Sequence, residues 1–189
     1  MPEIRCFIAV EVDDATMIRN IQKVQRALLS SGARLKVVEP ENLHFTLHFL
    51  GNTNEQRIPE LTKLLNEVEG ESFDVQLVGI GCFRPQRPRI IWIGCTKGSD
   101  QLTSHQKFLG NQLRAHRFPS EKRRYTPHLT IIRVRSGENR AQLMKLVDEY
   151  KDHNFGTFKA QAIKLKKSTL TPKGPIYDDL AVKQLNEIG

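Results

Sequence analysis

His44-Phe45-Thr46-Leu47 returns later in the same chain as His128-Leu129-Thr130-Ile131. Each copy sets an imidazole and a hydroxyl two residues apart inside a short apolar run. In a β-strand, side chains at i and i+2 share a face. Each copy therefore presents one titratable nitrogen beside one hydrogen-bond donor, with the intervening apolar residues turned toward a core. Two such strands brought together give two imidazoles flanking one small cavity, with two hydroxyls on its floor. That suits phosphate-ester chemistry, in which a base removes one proton while an acid delivers another. Thr makes up 11 of 189 residues, so two His-x-Thr matches among the histidines would arise from composition alone about one time in twenty. The context separates the pair from that background. Both copies run on into β-favouring residues, Leu47-His48-Phe49-Leu50 and Ile131-Ile132-Arg133-Val134, and both follow a turn-like segment containing proline.

Outward from the motifs, the chain reads as two halves with the same grammar. Ile4 to Val12 reads as a strand, and Asp13 or Asp14 caps a helix to about Ser30, whose Ile18, Ile21, Val24 and Leu28 keep helical spacing. A short strand over 35–38 and the turn Glu39-Pro40-Glu41-Asn42 lead to the first motif strand, 43–50. Gly51-Asn52-Thr53-Asn54 is a turn before a helix over 55–69, followed by strands over 73–80 and 90–95. The second half runs through a helix over 99–116, a basic loop, the motif strand 128–135 and a helix over 138–150. Strands over 155–166 and 177–185 close it. The expectation is an α+β chain with mainly antiparallel sheets, its two halves packed along a cleft.

Composition bounds the function. At 189 residues the chain forms one domain or two small lobes and needs no disulfide or metal to hold a core. Cys6, Cys82 and Cys95 stand singly, without CxxC spacing, which argues for a reducing compartment and against zinc. The apolar run Cys6–Val10 is too short for a signal peptide, and no run reaches membrane-spanning length. A cytoplasmic protein is expected. The net charge of +8 favours a polyanionic partner, nucleic acid above all. Arg84, Arg87 and Arg89, the basic loop from Arg114 to Arg124, and Arg133 with Arg135 carry much of that charge. Lys164, Lys166 and Lys167 read as a solvated cluster. His105, His116 and His153 lack partner spacing and read as surface residues, and Trp92 reads as core. No HxxxH, HExxH or acidic cluster points to a metal, and no glycine-rich loop to nucleotide-driven ligation.

With both motifs placed, the chain resembles the RNA 2′,3′-cyclic phosphodiesterases, formerly called 2′-5′ RNA ligases, within the two-histidine phosphoesterase superfamily. The residues that carry the resemblance span most of the chain: Arg5–Val10, Val38–Leu47 with Phe49-Leu50-Gly51, Phe83 with Pro88–Gly94, Tyr125–Ile131 with Arg133-Val134, and Gly174–Tyr177. The resemblance implies a single bilobal domain over 1–189, holding the motifs 44–47 and 128–131. Its two pseudo-symmetric lobes would each carry a mainly antiparallel sheet with helices on the outer face, and the histidines would meet across the cleft.

The implied activity is metal-independent, cofactor-free hydrolysis of an RNA terminal 2′,3′-cyclic phosphate to a 2′-phosphate, tRNA halves being one such substrate. In the reverse, ligating direction the histidines exchange roles. The resemblance makes His44 the proton donor and His128 the acceptor, with Thr46 and Thr130 donating to nonbridging oxygens. It places an arginine at Arg133 near the phosphate; on a regular strand that residue faces away from His128 and Thr130, so a twist at the strand end is expected to bring it round. Tyr125 is a candidate for stacking on the terminal base. His48 stands where the family often has arginine and shares, by strand parity, the face of His44; it is read either as a weaker cation at the cleft's edge or as a structural residue. A monomer is expected. Alternatives are a phosphodiesterase acting on small cyclic phosphates such as that of ADP-ribose, or a noncatalytic module that binds RNA ends.

Overall fold

The computed structural model describes residues 2–121 and 124–187. Its strands are β1 (Glu3–Glu11), β2 (Leu35–Val37), β3 (His44–Asn54), β4 (Phe73–Cys82), β5 (Ile90–Cys95), β6 (His128–Val134), β7 (Asn154–Ala160), β8 (Ala162–Thr171) and β9 (Gly174–Gln184). The helices are α1 (Ala15–Leu29), α2 (Ile58–Asn66), α3 (Ser99–Ala115) and α4 (Arg140–Glu149). The strands run in the order β7-β4-β5-β6-β3-β1-β8-β9, with β2 added beside β6, and every pairing between them is antiparallel.

One register pair, Phe45 with Leu129, joins β3 to β6. The sheet is therefore two sheets that touch along the motif strands. On one side lie β3, β1, β8 and β9, backed by α2 and α3; on the other lie β6, β5, β4 and β7, backed by α1 and α4. This is the expected α+β architecture of two antiparallel lobes with helices outside. The lobes are not the two halves of the sequence, however. Each lobe draws strands from both halves of the chain, because β8 pairs with β1 and carries β9 while β7 pairs with β4. The single strand expected over 155–166 is accordingly two strands, and the chain passes from one lobe to the other at Gln161.

Local signals explain the elements. The Asp14 carboxylate accepts the Met17 amide at 2.7 Å and starts α1, which buries Met17, Ile21, Val24 and Leu28. Gly51–Asn54, expected as a turn, continues β3 because Glu3–Cys6 pairs with it. Asn54 still acts as a cap, accepting the Gln56 amide at 3.0 Å at the start of a short 3-10 turn that leads into α2. The buried core is continuous across both lobes, from Ile8 and Leu50 through Phe45 and Leu129 to Ile93 and Phe155.

Candidate active site

The two motif strands are built alike. Burial along His44–Phe49 and along His128–Arg133 follows one sequence: half-buried, buried, half-buried, buried, buried, exposed. The doubled buried position marks a β-bulge. On β3, Ala9 pairs with Thr46 and Ile8 with His48, leaving Leu47 as the extra residue. On β6, Trp92 pairs with Thr130 and Ile91 with Ile132, leaving Ile131. A bulge shifts strand parity by one residue. The residues five after each histidine, Phe49 and Arg133, therefore join the histidine and threonine on the cleft face. At Ile131 the displaced carbonyl is held by two donors, the Val38 amide at 2.9 Å and the Gln25 amide group of α1 at 2.9 Å.

That shift brings Arg133 to the cleft, and a bulge rather than a twist at the strand end is the cause. It also moves His48 to the opposite face, where it is 1% exposed and its Nε2 lies 2.7 Å from the Gln106 carbonyl of α3. His48 thus belongs to the packing between β3 and α3, not to the cleft edge.

His44, Thr46, His128, Thr130 and Arg133 all line one cleft of about 820 Å³, with Phe7, Phe49 and Tyr177. His44 Nδ1 lies 2.7 Å from the Asn42 carbonyl, and His128 Nδ1 lies 2.8 Å from the Thr126 carbonyl. A carbonyl oxygen only accepts, so both Nδ1 atoms carry a proton, and in the neutral ring Nε2 is left with the free lone pair. The turn that supplies Asn42 begins at Pro40, which is the local reason a proline-containing segment precedes the motif.

The walls differ. The His44 ring sits 4.9 Å from Phe7 and 5.4 Å from Tyr177, whereas His128 sits 5.1 Å from Phe83 and 6.4 Å from Trp92. Trp92, read as core, is half-buried and forms part of this wall. Burial pushes His44 down to about 4. The Asn42 carbonyl and Glu11 oppose that shift, while the charges of Lys166 and Arg133 add to it. Lys166 itself is 4% exposed and ion-paired with Glu11 and Asp179; Lys164 shares both partners and lies 2.8 Å from Asp179. The lysine cluster is thus in part a buried ion network, with Glu11 in register opposite His44, and not a solvated face. Sequence spacing carried no sign of it, since its members come from β1, β8 and β9.

Tyr125 is not brought to the histidines. It packs against the core, its hydroxyl is buried without a partner among the described residues, and it lines a separate cavity with Gln106, Arg114 and Arg124. Arg123 lies outside the described residues. His105 is buried beside the Phe73 ring at 5.7 Å rather than on the surface, while His116 is exposed and paired with Glu60 at 3.0 Å, and His153 is exposed. Among the described residues no three His, Cys, Asp or Glu side chains converge as metal ligands, and no helix is long and apolar enough to cross a membrane.

Two antiparallel lobes that present matched His-x-Thr strands across one cleft define a two-histidine phosphoesterase fold. The AKAP7 2′5′ RNA ligase-like domain family matches residues 6–183, and the chain belongs to this family of RNA 2′,3′-cyclic phosphodiesterases and 2′-5′ RNA ligase-like proteins. The RNA 2′,3′-cyclic phosphodiesterase of Archaeoglobus fulgidus is 38% identical over 179 residues, covering 94% of this chain and 98% of that protein. The protein of the same name from Methanothermobacter thermautotrophicus is 34% identical over 186 residues, covering 97% of this chain and 100% of its own length. The fold matches the crystal structure of Escherichia coli LigT in its apo form with a TM-score of 0.80 at 20% identity, over 98% of this chain and 99% of that one.

Proposed function

We propose that this protein hydrolyses the 2′,3′-cyclic phosphate at the 3′ end of RNA, leaving a 2′-phosphate. The observation that carries this reading is the matched pair of imidazoles. Each is fixed by its Nδ1 to the carbonyl two residues back, each has a threonine two residues on, and both line one cleft. The relatives named RNA 2′,3′-cyclic phosphodiesterase cover nearly the whole chain and point the same way.

His128 Nε2 takes a proton from a water molecule as its oxygen attacks phosphorus opposite the 3′ oxygen. The P–O3′ bond breaks, and the departing O3′ takes a proton from His44 Nε2. The threonine hydroxyls donate to the nonbridging oxygens as charge gathers there, and Arg133 adds a charge-assisted bond. With its ring held down to about 4, His44 is neutral in the free enzyme at neutral pH. The negative cyclic phosphate placed against Nε2 favours the imidazolium, so His44 gains its proton as substrate binds. With the 5′-hydroxyl of a second RNA strand in place of water, the same cleft opens the cyclic phosphate into a 2′-5′ linkage as O3′ leaves; in the reverse of that step O3′ attacks, the 5′-hydroxyl leaves and the two histidines exchange roles.

Turnover of a nucleoside 2′,3′-cyclic phosphate in the presence of EDTA, read as appearance of the 2′-phosphate, tests the proposal. A chain that binds the cyclic phosphate without converting it is a binding module, and activity that vanishes with the chelator rules out the histidine-only mechanism.

A further inference from the structure

The two half-sites offer the same groups to the chemistry and differ in the residue that each bulge turns to the cleft. Each offers a free Nε2, a threonine hydroxyl and, after its bulge, a fifth residue facing the cleft. That residue is Phe49 in one lobe and Arg133 in the other. A 2′,3′-cyclic phosphate has its own near-symmetry, since both bridging oxygens join phosphorus to adjacent ribose carbons. Turning the ribose over exchanges O2′ and O3′ beneath His44 and exchanges the base with the 5′ chain. Two imidazoles and two threonines alone accept either sense, and the product would be a mixture of 2′- and 3′-phosphates.

We propose that Phe49 decides which ester bond breaks, by holding the face of the terminal nucleobase and so admitting the ribose in one sense only. Phe49 is 62% exposed although it lies on the cleft wall, an apolar ring that the described residues leave largely open. In the register of β1 and β3 it stands opposite Phe7, with Arg5 opposite Asn52 further along the same pair of strands. Arg5 lines the cleft as well, so an aromatic face for a base and a cation for the adjoining 5′ phosphate occur together in this lobe. Arg133 in the other lobe is suited to the nonbridging oxygens of the reacting phosphate. Base stacking tolerates any base because every base has a π-face. The device therefore sets the sense of the ribose without demanding a sequence.

The inference rests on the proposed cyclic phosphodiesterase activity, and the product ratio separates the two. Each nucleoside 2′,3′-cyclic phosphate is hydrolysed by the unaltered chain, by Phe49→Ala and by Phe49→Trp, and the 2′- and 3′-phosphates are resolved by ³¹P NMR. The unaltered chain and Phe49→Trp should yield the 2′-phosphate. Phe49→Ala should lower the ratio of 2′- to 3′-phosphate by about tenfold or more, the selectivity that loss of one base-stacking contact carries. Phe49→Arg, which sets an arginine after both bulges, should lower it further. Failure of the unaltered chain to turn over any cyclic phosphate refutes the parent activity. Continued turnover by Phe49→Ala with an unchanged ratio refutes the role of Phe49 alone. Complete loss of turnover in a folded Phe49→Ala chain also overturns it, since Phe49 would then serve the chemistry and not the choice of bond.

Discussion

The strands β3 and β6 carry the same motif, the same bulge and the same carbonyl anchor, yet place their histidines in different surroundings. His44 is walled by Phe7 and Tyr177 and lies near the ion network in which the buried Lys166 meets Glu11 and Asp179. His128 leans on Phe83, which is exposed, and on the edge of Trp92. Behind the strands, the residue after the bulge is His48 on one side, bonded to α3, and Ile132 on the other. A repeated motif thus supplies two like nitrogens, and the neighbours make them unlike. An acid and a base drawn from one residue type require such a difference, because proton transfer in both directions needs two protonation states at one pH.

The largest effect should come from removing either imidazole. His44→Ala and His128→Ala should each lower kcat/KM for a nucleoside cyclic phosphate by about 10²- to 10⁴-fold, with unchanged circular dichroism. Near-normal turnover in either variant breaks the pairing. The comparison sharpens with a nucleoside p-nitrophenyl phosphodiester, whose leaving group departs without a proton. On that substrate the variant lacking the acid should recover most of its loss and the variant lacking the base should not. Recovery by His128→Ala in place of His44→Ala would exchange the acid and the base.

Arg133→Ala should slow the mononucleotide substrate by about 10²-fold, as expected for loss of one donor to the transition-state charge. Equal kinetics with and without the guanidinium would leave the bulge at Ile131 without a catalytic purpose.

The lowered pKa of His44 also has a consequence for stability. Between its ordinary value of 6.5 and about 4, the unfolded chain binds a proton that the folded chain does not. Stability therefore rises with pH through that window and is lost as pH falls from about 6.5 toward 4. His48 and His105, both lowered by burial, act in the same direction. Urea midpoints should drop across this range, and His44→Gln should flatten the drop. An unchanged slope in that variant would place the proton uptake elsewhere.

The smallest effect belongs to the second cavity. Arg124→Glu should leave the mononucleotide reaction unchanged and weaken only longer RNA, lowering the salt slope of binding by roughly one. Equal losses on both substrates would move Arg124 into the fold or the chemistry.

Which residues faced each other was only partly legible along the chain. His44, Thr46, His128 and Thr130 could be paired from the repeat because two-residue spacing and apolar context are local properties of a strand. Arg133 and His48 could not be placed by counting, since one extra residue in each strand reverses parity beyond it. At Ile131 that residue is held by Val38 and Gln25, which lie far away in sequence. Tyr125 stood beside the second motif in the sequence yet packs away from the cleft, while Tyr177 reached His44 from the far end of the chain.

By itself the sequence determined most of the elements and the chemistry they could carry: the motif strands, an aspartate cap at 13 or 14 for α1, the strand over 73–80 and the supply of two imidazoles and two hydroxyls. These depend on neighbours within a few residues, where side-chain period and backbone propensity act directly. Only the tertiary structure decided that the lobes interleave the two halves, that Phe49 and Arg133 face the cleft while His48 does not, and that an ion network centred on the buried Lys166 lies near His44. Each of those outcomes depends on hydrogen bonds and burial shared between strands distant in the chain, and strand periodicity has no knowledge of a bulge until the partner that holds it is in place.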